Sequence, residues 1–129
     1  MIKTESPISI QKESIGENVC NFNYLTEMVN GKKNLITEIM DTFLKQIPED
    51  LKSINDAVVK KDYQHIRSLA HKMKSSVSIM GISSLTPVLQ EMMDLGEKES
   101  DIEKIKELNQ KLNLICKKAI EEIEKEKVK

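Results

Sequence analysis

The chain has 129 residues, which is enough for one hydrophobic core and too few for two ordinary domains. Hydrophobic residues make up 39% and charged residues 32%, a balance that favours a packed, soluble globule over general disorder. The 20 basic and 21 acidic residues are intermixed, so no basic face predicts binding to nucleic acid or to an anionic membrane. No apolar run reaches the roughly 18 residues of a membrane span, and the first residues lack a signal-peptide core. We therefore expect a cytoplasmic protein.

The composition favours helices over strands, because the chain holds only 4 Gly and 3 Pro and its aromatic content is 3%. Residues 1–21 are polar and lack a sustained period, which predicts a flexible leader before a folded domain at 22–127. Cys20 and Cys116 lack a metal-ligand spacing, and in a reducing compartment we expect both to stay thiols with structural roles.

The first helices follow this leader. Asn23 is placed to cap a short helix at 24–29, which the Asn30-Gly31 turn would stop. From residue 32 to residue 60, apolar side chains recur at steps of three and four, which predicts one face of a long helix. Because proline lacks an amide hydrogen and crowds the preceding turn, we expect a kink near Pro48.

Two further helices are separated by glycine. Asp62 is placed to cap a helix from 63 to about 80, with Gly81 as its terminator. The next helix begins near residue 83 or 84, carries Pro87 in its first turn and is expected to end at Gly96. The inward positions of the helix at 63–80 would be Ile66, Leu69, Ala70, Met73, Val77 and Met80.

The last helix opens with Ser100 and Glu103, the spacing of a capping box, and continues into Glu-Lys repeats. Short turns between amphipathic helices predict that neighbouring helices run in opposite directions. The sequence therefore predicts an all-α fold, an antiparallel up-down-up-down four-helix bundle with a short N-terminal helix.

His71 lies well away from the core side of the helix at 63–80. At about 100° per residue, it is roughly 140° from the mean inward direction. Arg67, Lys74 and Ser78 share this outward stripe, at four residues before it and at three and seven residues after it. Two cations beside an imidazole suit a phosphoryl group, which carries about two negative charges and accepts charge-assisted hydrogen bonds.

Other chemistries fit this surface less well. A metal site with His65 and His71 is excluded, because residues six apart on a helix do not share a face. The serines near His71 have no histidine and acid placed to activate them as nucleophiles. There is no glycine-rich phosphate loop, and the chain is too short to contain a kinase ATP domain.

Residues 70–81, AHKMKSSVSIMG, resemble the signature of histidine phosphotransfer (HPt) domains. That signature reads approximately Ala-His-x-Leu-Lys-Gly-small-small, with a further glycine ten residues after the histidine. The resemblance puts His71 on the phosphorylated histidine, Lys74 on the lysine that neighbours the phosphoryl group, and Gly81 on the last glycine. The helix order from about 22 to 125 is also similar to that of the family. One position departs from the pattern: Ser75 stands where the family usually has glycine, which lets the partner surface come close.

The resemblance implies a phosphorelay carrier with no ATP site of its own, and so not an enzyme by itself. His71 would accept a phosphoryl group from a receiver aspartate and pass it to another receiver, while Lys74 and Arg67 stabilise the charge. The docking surface would consist of Ser75, Ser78 and the side chains of Ile79 and Ile82, which we expect to be exposed.

The same resemblance implies which partners the chain has. They would be receiver domains of response regulators or of hybrid histidine kinases, with Mg²⁺ on the partner receiver only and no cofactor on this chain. We expect a monomer. The alternative that the sequence leaves open is a helical-bundle adaptor or inhibitor, which binds a receiver or a kinase without carrying phosphate.

Overall fold

A computed structural model of the chain describes residues 18–127, and this part consists of helices and short turns. Five α-helices and one 3₁₀ turn follow in order: α1 Phe22–Met28, α2 Lys33–Val59, α3 Tyr63–Ile79, the 3₁₀ turn Ser83–Leu85, α4 Thr86–Lys98 and α5 Ile102–Lys127. The predicted all-α class is confirmed. Most of the predicted leader, residues 1–17, lies outside the described residues.

The four long helices form a ring, in which α2 packs on α3, α3 on α4, α4 on α5, and α5 back on α2. Lys74 contacts Gln90 and Arg67 contacts Glu97, so positions later on α3 face positions earlier on α4. This register is antiparallel, as the short connection between the two helices requires. The predicted four-helix bundle with a short N-terminal helix is confirmed.

The inward side of α3 agrees with the helical periodicity. All six of its predicted positions are buried, and the side chains of Ile66, Ala70 and Met73 have no exposed surface. The predicted long second helix is a single helix that contains Pro48, and the kink there stays a prediction. Its buried apolar residues are Met40, Phe43, Ile47, Ile54, Ala57 and Val58.

The ends of two helices differ from the prediction. Asn21, not Asn23, caps α1, because its side chain accepts a hydrogen bond from the Tyr24 amide at 3.0 Å. The Asn21 amide also donates to the carbonyl of Met80 at 3.0 Å, which ties this cap to the end of α3. A tertiary hydrogen bond of this kind has no signature in the local sequence.

The start of α5 is capped by Asp101 and not by Ser100. The Asp101 carboxylate accepts from the Lys104 amide at 3.2 Å, while the Ser100 amide donates to the carbonyl of Leu95 and so completes the end of α4. Ser100 therefore belongs to the end of one helix, and the next residue opens the other.

Gly96 does not end α4, contrary to the prediction. The helix continues to Lys98, and Glu99 takes the left-handed conformation that closes it. A Cβ atom at position 96 would lie 3.0 Å from the Tyr63 carbonyl oxygen and 3.2 Å from Cβ of Arg67. This glycine is therefore a packing residue that lets α3 and α4 approach closely.

Residues directly before the predicted start of the domain at residue 22 contact the bundle. The amides of Val19 and Cys20 donate to the Glu122 carboxylate at 2.7 and 2.9 Å, and Cys20 is buried. Residues 19–21 are thus held against α5 and α3, and they belong to the bundle. No helix among residues 18–127 is long and apolar enough to cross a membrane.

Candidate functional site

Helix α3 is closed at both ends by local hydrogen bonds. Asp62 caps its start as predicted, with the carboxylate accepting from the His65 amide at 3.2 Å. Gly81 at φ +67° ends it, since only a residue that tolerates this conformation can make the turn. Because α3 runs Tyr63–Ile79, eight residues lie on either side of His71. The histidine thus stands at the centre of the helix, away from both of its ends.

The side chain of His71 is exposed, while its neighbours toward the core, Ala70 and Met73, are fully buried. Arg67 and Ser78 are exposed and Lys74 is half-buried, so the outward stripe predicted from the wheel is present. An imidazole in this position is open to a partner molecule on the surface of the bundle.

Both cations beside His71 are held by polar residues of α4. Nζ of Lys74 donates to Oε1 of Gln90 at 2.7 Å, and Nε2 of Gln90 donates to Oδ1 of Asp94 at 3.0 Å. Nε of Arg67 lies 3.6 Å from a carboxylate oxygen of Glu97. The cations are therefore located on the α4 side of His71.

The opposite, α2 side of His71 carries a different contact. Nζ of Lys72, the next residue along α3, donates to Oδ1 of the buried Asp50 on α2 at 2.9 Å. Polar contacts thus join α3 to both of its neighbouring helices within one turn of His71.

A groove of about 340 Å³ runs between α2 and α3 on this side. Ser75, Ser76 and Ile79 line it from α3, and Ile39 and Phe43 line it from α2. Ser75 is exposed and lies one turn after His71, so the groove begins beside the histidine. Two of the predicted docking residues, Ser75 and Ile79, are therefore on one continuous surface.

The expectation that Ile82 is exposed is wrong, because its side chain has 0% exposed surface. Its amide donates to the carbonyl of Val77 at 2.9 Å, and the Gly81 amide donates to the carbonyl of Ser78 at 3.0 Å. These are the two hydrogen bonds of a Schellman motif, in which the residue after the glycine packs on the last turn of the helix. Ile82 therefore belongs to the core, and the glycine that ends α3 is the signal that predicts this.

The remaining candidate groups lie elsewhere. His65 is exposed near Asp62, and its Nδ1 lies 3.9 Å from a carboxylate oxygen of that residue. Cys20 and Cys116 are free and buried, and burial raises the pKa of each thiol to about 12. Across residues 18–127 no cluster of three or more His, Cys, Asp or Glu side chains is arranged to hold a metal ion.

A comparison of the sequence with known protein families shows which family the chain belongs to. The family model for the Hpt domain matches residues 38–125, which include α3 and its motif. The chain belongs to the Hpt domain family. HPt domains are phosphotransfer carriers of two-component signalling, and their partners are receiver and kinase domains. This gives the chain a phosphotransfer role in two-component signalling.

A solved structure supports the fold. The chain is similar to the crystal structure of the HPT domain from an Hpt sensor hybrid histidine kinase from Shewanella, at 20% sequence identity and a TM-score of 0.74. The match covers 83% of this chain and 92% of that domain. Among curated proteins, no significant match was found.

Several residues near the histidine were missed by sequence reasoning. Gln90, Asp94 and Glu97 on α4 recur at steps of four and three, so they form a polar stripe that the sequence does show. What the sequence did not show is which helix this stripe faces. Asp50 was missed because its neighbour Leu51 fits the three- and four-residue spacing of the apolar face of α2. That spacing therefore placed Leu51, and not Asp50, in the core.

Proposed function

We propose that His71 is the phosphoacceptor of an HPt relay protein, which takes a phosphoryl group from a receiver aspartate and passes it to a second receiver. The observation that carries this proposal is the position of His71 at the centre of α3, exposed and inside the family motif. The same helix holds a lysine one turn later, and a groove opens beside it.

The chemical step follows from the groups that meet. A neutral imidazole has one unprotonated ring nitrogen, whose lone pair attacks the phosphorus of an aspartyl phosphate. The N–P bond forms as the bond between phosphorus and the acyl oxygen breaks, and the aspartate leaves as a carboxylate. The other ring nitrogen keeps its proton. Transfer to the second receiver is the reverse of these bond changes.

Lys74, supported by Arg67, would stabilise the charge that develops on the phosphoryl oxygens during transfer. In the unphosphorylated protein the Lys74 ammonium is bound by Gln90, whose amide oxygen is neutral. A phosphoryl group carries more negative charge than this amide, so the ammonium gains by turning to it. The divalent cation that such a transfer uses is expected on the receiver.

The groove between α2 and α3 would receive apolar side chains of the docked receiver. Ile79 and Ile39 are half-buried at its surface, and Ser75 and Ser78 keep the area around His71 low enough for close approach. Ser75 is larger than the family's usual glycine by one hydroxymethyl group. It would therefore restrict which receivers fit.

The proposal is tested with a receiver that has been loaded by acetyl phosphate and then mixed with the protein. We expect acid-labile, alkali-stable phosphate on the wild type and none on His71→Gln. His65→Gln is the matched control, because His65 is also exposed on α3 and lies outside the motif.

Two results would contradict the proposal. If His71→Gln is labelled as well as the wild type, the phosphoryl group is carried elsewhere. If no receiver from the same genome labels the wild type, the adaptor alternative is favoured over transfer.

A further inference from the structure

Asp50 occupies a place in the core that an apolar residue would be expected to hold. On α2 it lies between Ile47 and Ile54, which are both fully buried, and its own residue surface is 4% exposed. Among residues 18–127 it is the only charged residue that is buried. Its Oδ1 accepts from Nζ of Lys72, whereas its Oδ2 is buried without a hydrogen-bond partner.

This pair is not explained by stability. Bringing the Asp50 carboxylate out of water costs several kcal/mol, and one ion pair with a lysine whose side chain is 57% exposed, with the second carboxylate oxygen unsatisfied, regains this only in part. Buried ion pairs that are replaced by apolar residues of similar size often leave a protein equally stable or more stable. A buried polar group left partly unsatisfied calls for a separate explanation.

The location of the pair suggests that explanation. Lys72 directly follows His71, and its contact with Asp50 holds α3 on the α2 side. Arg67 and Lys74 contact α4 on the other side. The hydrophobic attraction between apolar side chains has no direction of its own, whereas a hydrogen bond to a buried carboxylate has a defined direction.

The rotation of α3 determines where His71 points. The Cα atoms lie 2.3 Å from a helix axis, and an imidazole adds several Å, so a rotation of about 20° moves the reactive nitrogen by roughly 2 Å. A misplacement of about 1 Å can slow a reaction roughly a hundredfold when the reacting groups must be in line.

We infer that Asp50 is a positioning residue for phosphotransfer: through Lys72 it fixes the rotation of α3, and so it sets the direction in which His71 meets the receiver. The inference rests on the proposed function of His71. In this role the pair of Asp50 and Lys72 aligns the reacting groups. It does not change the reactivity of the imidazole or the affinity for the receiver.

The test replaces both partners in the variant Asp50→Leu/Lys72→Met. We expect its urea midpoint of unfolding to be equal to or above that of the wild type. Labelling of His71 by phosphoramidate, a small donor that needs no alignment by docking, should keep its rate. Transfer from a loaded receiver should show a kcat at least about tenfold lower with an unchanged KM.

Three variants complete the design. Asp56→Leu/Lys60→Met makes the same replacements in an exposed ion pair at the C-terminal end of α2 and should transfer at the wild-type rate. Lys72→Arg keeps the charge and should retain most of kcat. Asp50→Asn keeps the volume and an acceptor atom, and it should lower kcat by a smaller factor even if the double variant does not fold.

An unchanged kcat in Asp50→Leu/Lys72→Met, or in Asp50→Asn if the double variant is unfolded, overturns the inference and leaves the proposed function intact. Equal loss of labelling by phosphoramidate and by the receiver also overturns it, because the pair would then act on the imidazole itself. If the wild type is labelled by phosphoramidate and by no receiver, the proposed function fails and the positioning role fails with it.

Discussion

Nζ of Lys74 and Oε1 of Gln90 form a 2.7 Å hydrogen bond between α3 and α4, one turn from His71. Asp94 determines the direction of this bond. A carboxylate only accepts hydrogen bonds, so the amide nitrogen of Gln90 must face Asp94 and its oxygen must face Lys74. The ammonium is therefore held at a fixed place on the α4 side while His71 is unphosphorylated.

This relationship predicts the effect of removing the ammonium. Lys74→Ala should slow transfer from a loaded receiver by at least about tenfold, because a donor to the developing charge is lost. Lys111→Ala, an exposed lysine of α5, is the control and should leave the rate unchanged. Rapid-mixing transfer assays with both variants check this. A Lys74→Ala rate within about twofold of the wild type would remove Lys74 from the site.

Ser75 should control access of the receiver to His71. Ser75→Trp puts a large side chain at the edge of the groove, so we expect KM for the receiver to rise by about tenfold or more, whereas labelling by phosphoramidate stays the same. Lys111→Trp controls for an exposed tryptophan away from α3. An unchanged KM in Ser75→Trp would show that the receiver docks on another face of the bundle.

Substitutions at Gly81 and Gly31 separate two effects on the free energy of unfolding: the backbone strain of a residue with positive φ, and the crowding caused by an added Cβ atom. Both glycines have positive φ, but a Cβ at Gly81 would lie 2.6 Å from Cβ of Asn21, while nothing lies within 4 Å of one at Gly31. We expect Gly31→Ala to lower the free energy of unfolding by about 1 kcal/mol and Gly81→Ala by about 3 kcal/mol. Urea unfolding of both variants measures the difference, and equal losses would contradict the contact with Asn21.

The two buried thiols predict a loss of stability in alkali. Burial raises the pKa of Cys20 from 9.0 to about 12, with the nearby Glu122 carboxylate as the second cause; burial, followed by Asp50, does the same for Cys116. Between pH 9 and about pH 12 the thiols of the unfolded chain lose their protons, whereas those of the folded protein keep them. Stability from the thiols is therefore complete below pH 9 and is lost as the pH rises toward 12.

The measurement is urea unfolding at about pH 8 and about pH 10. The wild type should lose roughly 3 kcal/mol more over this interval than Cys20→Ala/Cys116→Ala, since each thiol that ionises only in the unfolded chain contributes about 1.4 kcal/mol between pH 8 and pH 10. The same loss in both proteins would show that the thiols do not titrate differently on folding.

The sequence predicted those features that depend on one helix at a time. The inward set of α3 and the outward position of His71 follow from the 3.6-residue period, and they are confirmed. The cap by Asp62 is also confirmed. It could be predicted from the sequence because the capping side chain and the amide that it binds are only three residues apart.

The order and antiparallel packing of the helices were predicted, but individual contacts between residues on different helices were not. Asn21 replaces Asn23 as a cap because its amide is bound by Met80, and Gly96 lies inside α4 because α3 comes close to it. The contact between Asp50 and Lys72 joins residues on different helices, and no local pattern indicates it. Ile82 is different, since the glycine that ends α3 is present in the sequence and the turn that it makes places the next side chain in the core.

The most direct test of the central claim observes the two histidines separately. The protein, labelled with nitrogen-15 in its histidine rings, is mixed with a loaded receiver and followed by proton–nitrogen and phosphorus NMR. We predict that the ring resonances of His71 shift as a phosphoramidate signal appears, that those of His65 stay in place, and that adding an unloaded second receiver reverses the change. A shift of the His65 resonances in place of those of His71, or phosphate signals with neither ring affected, would contradict the account.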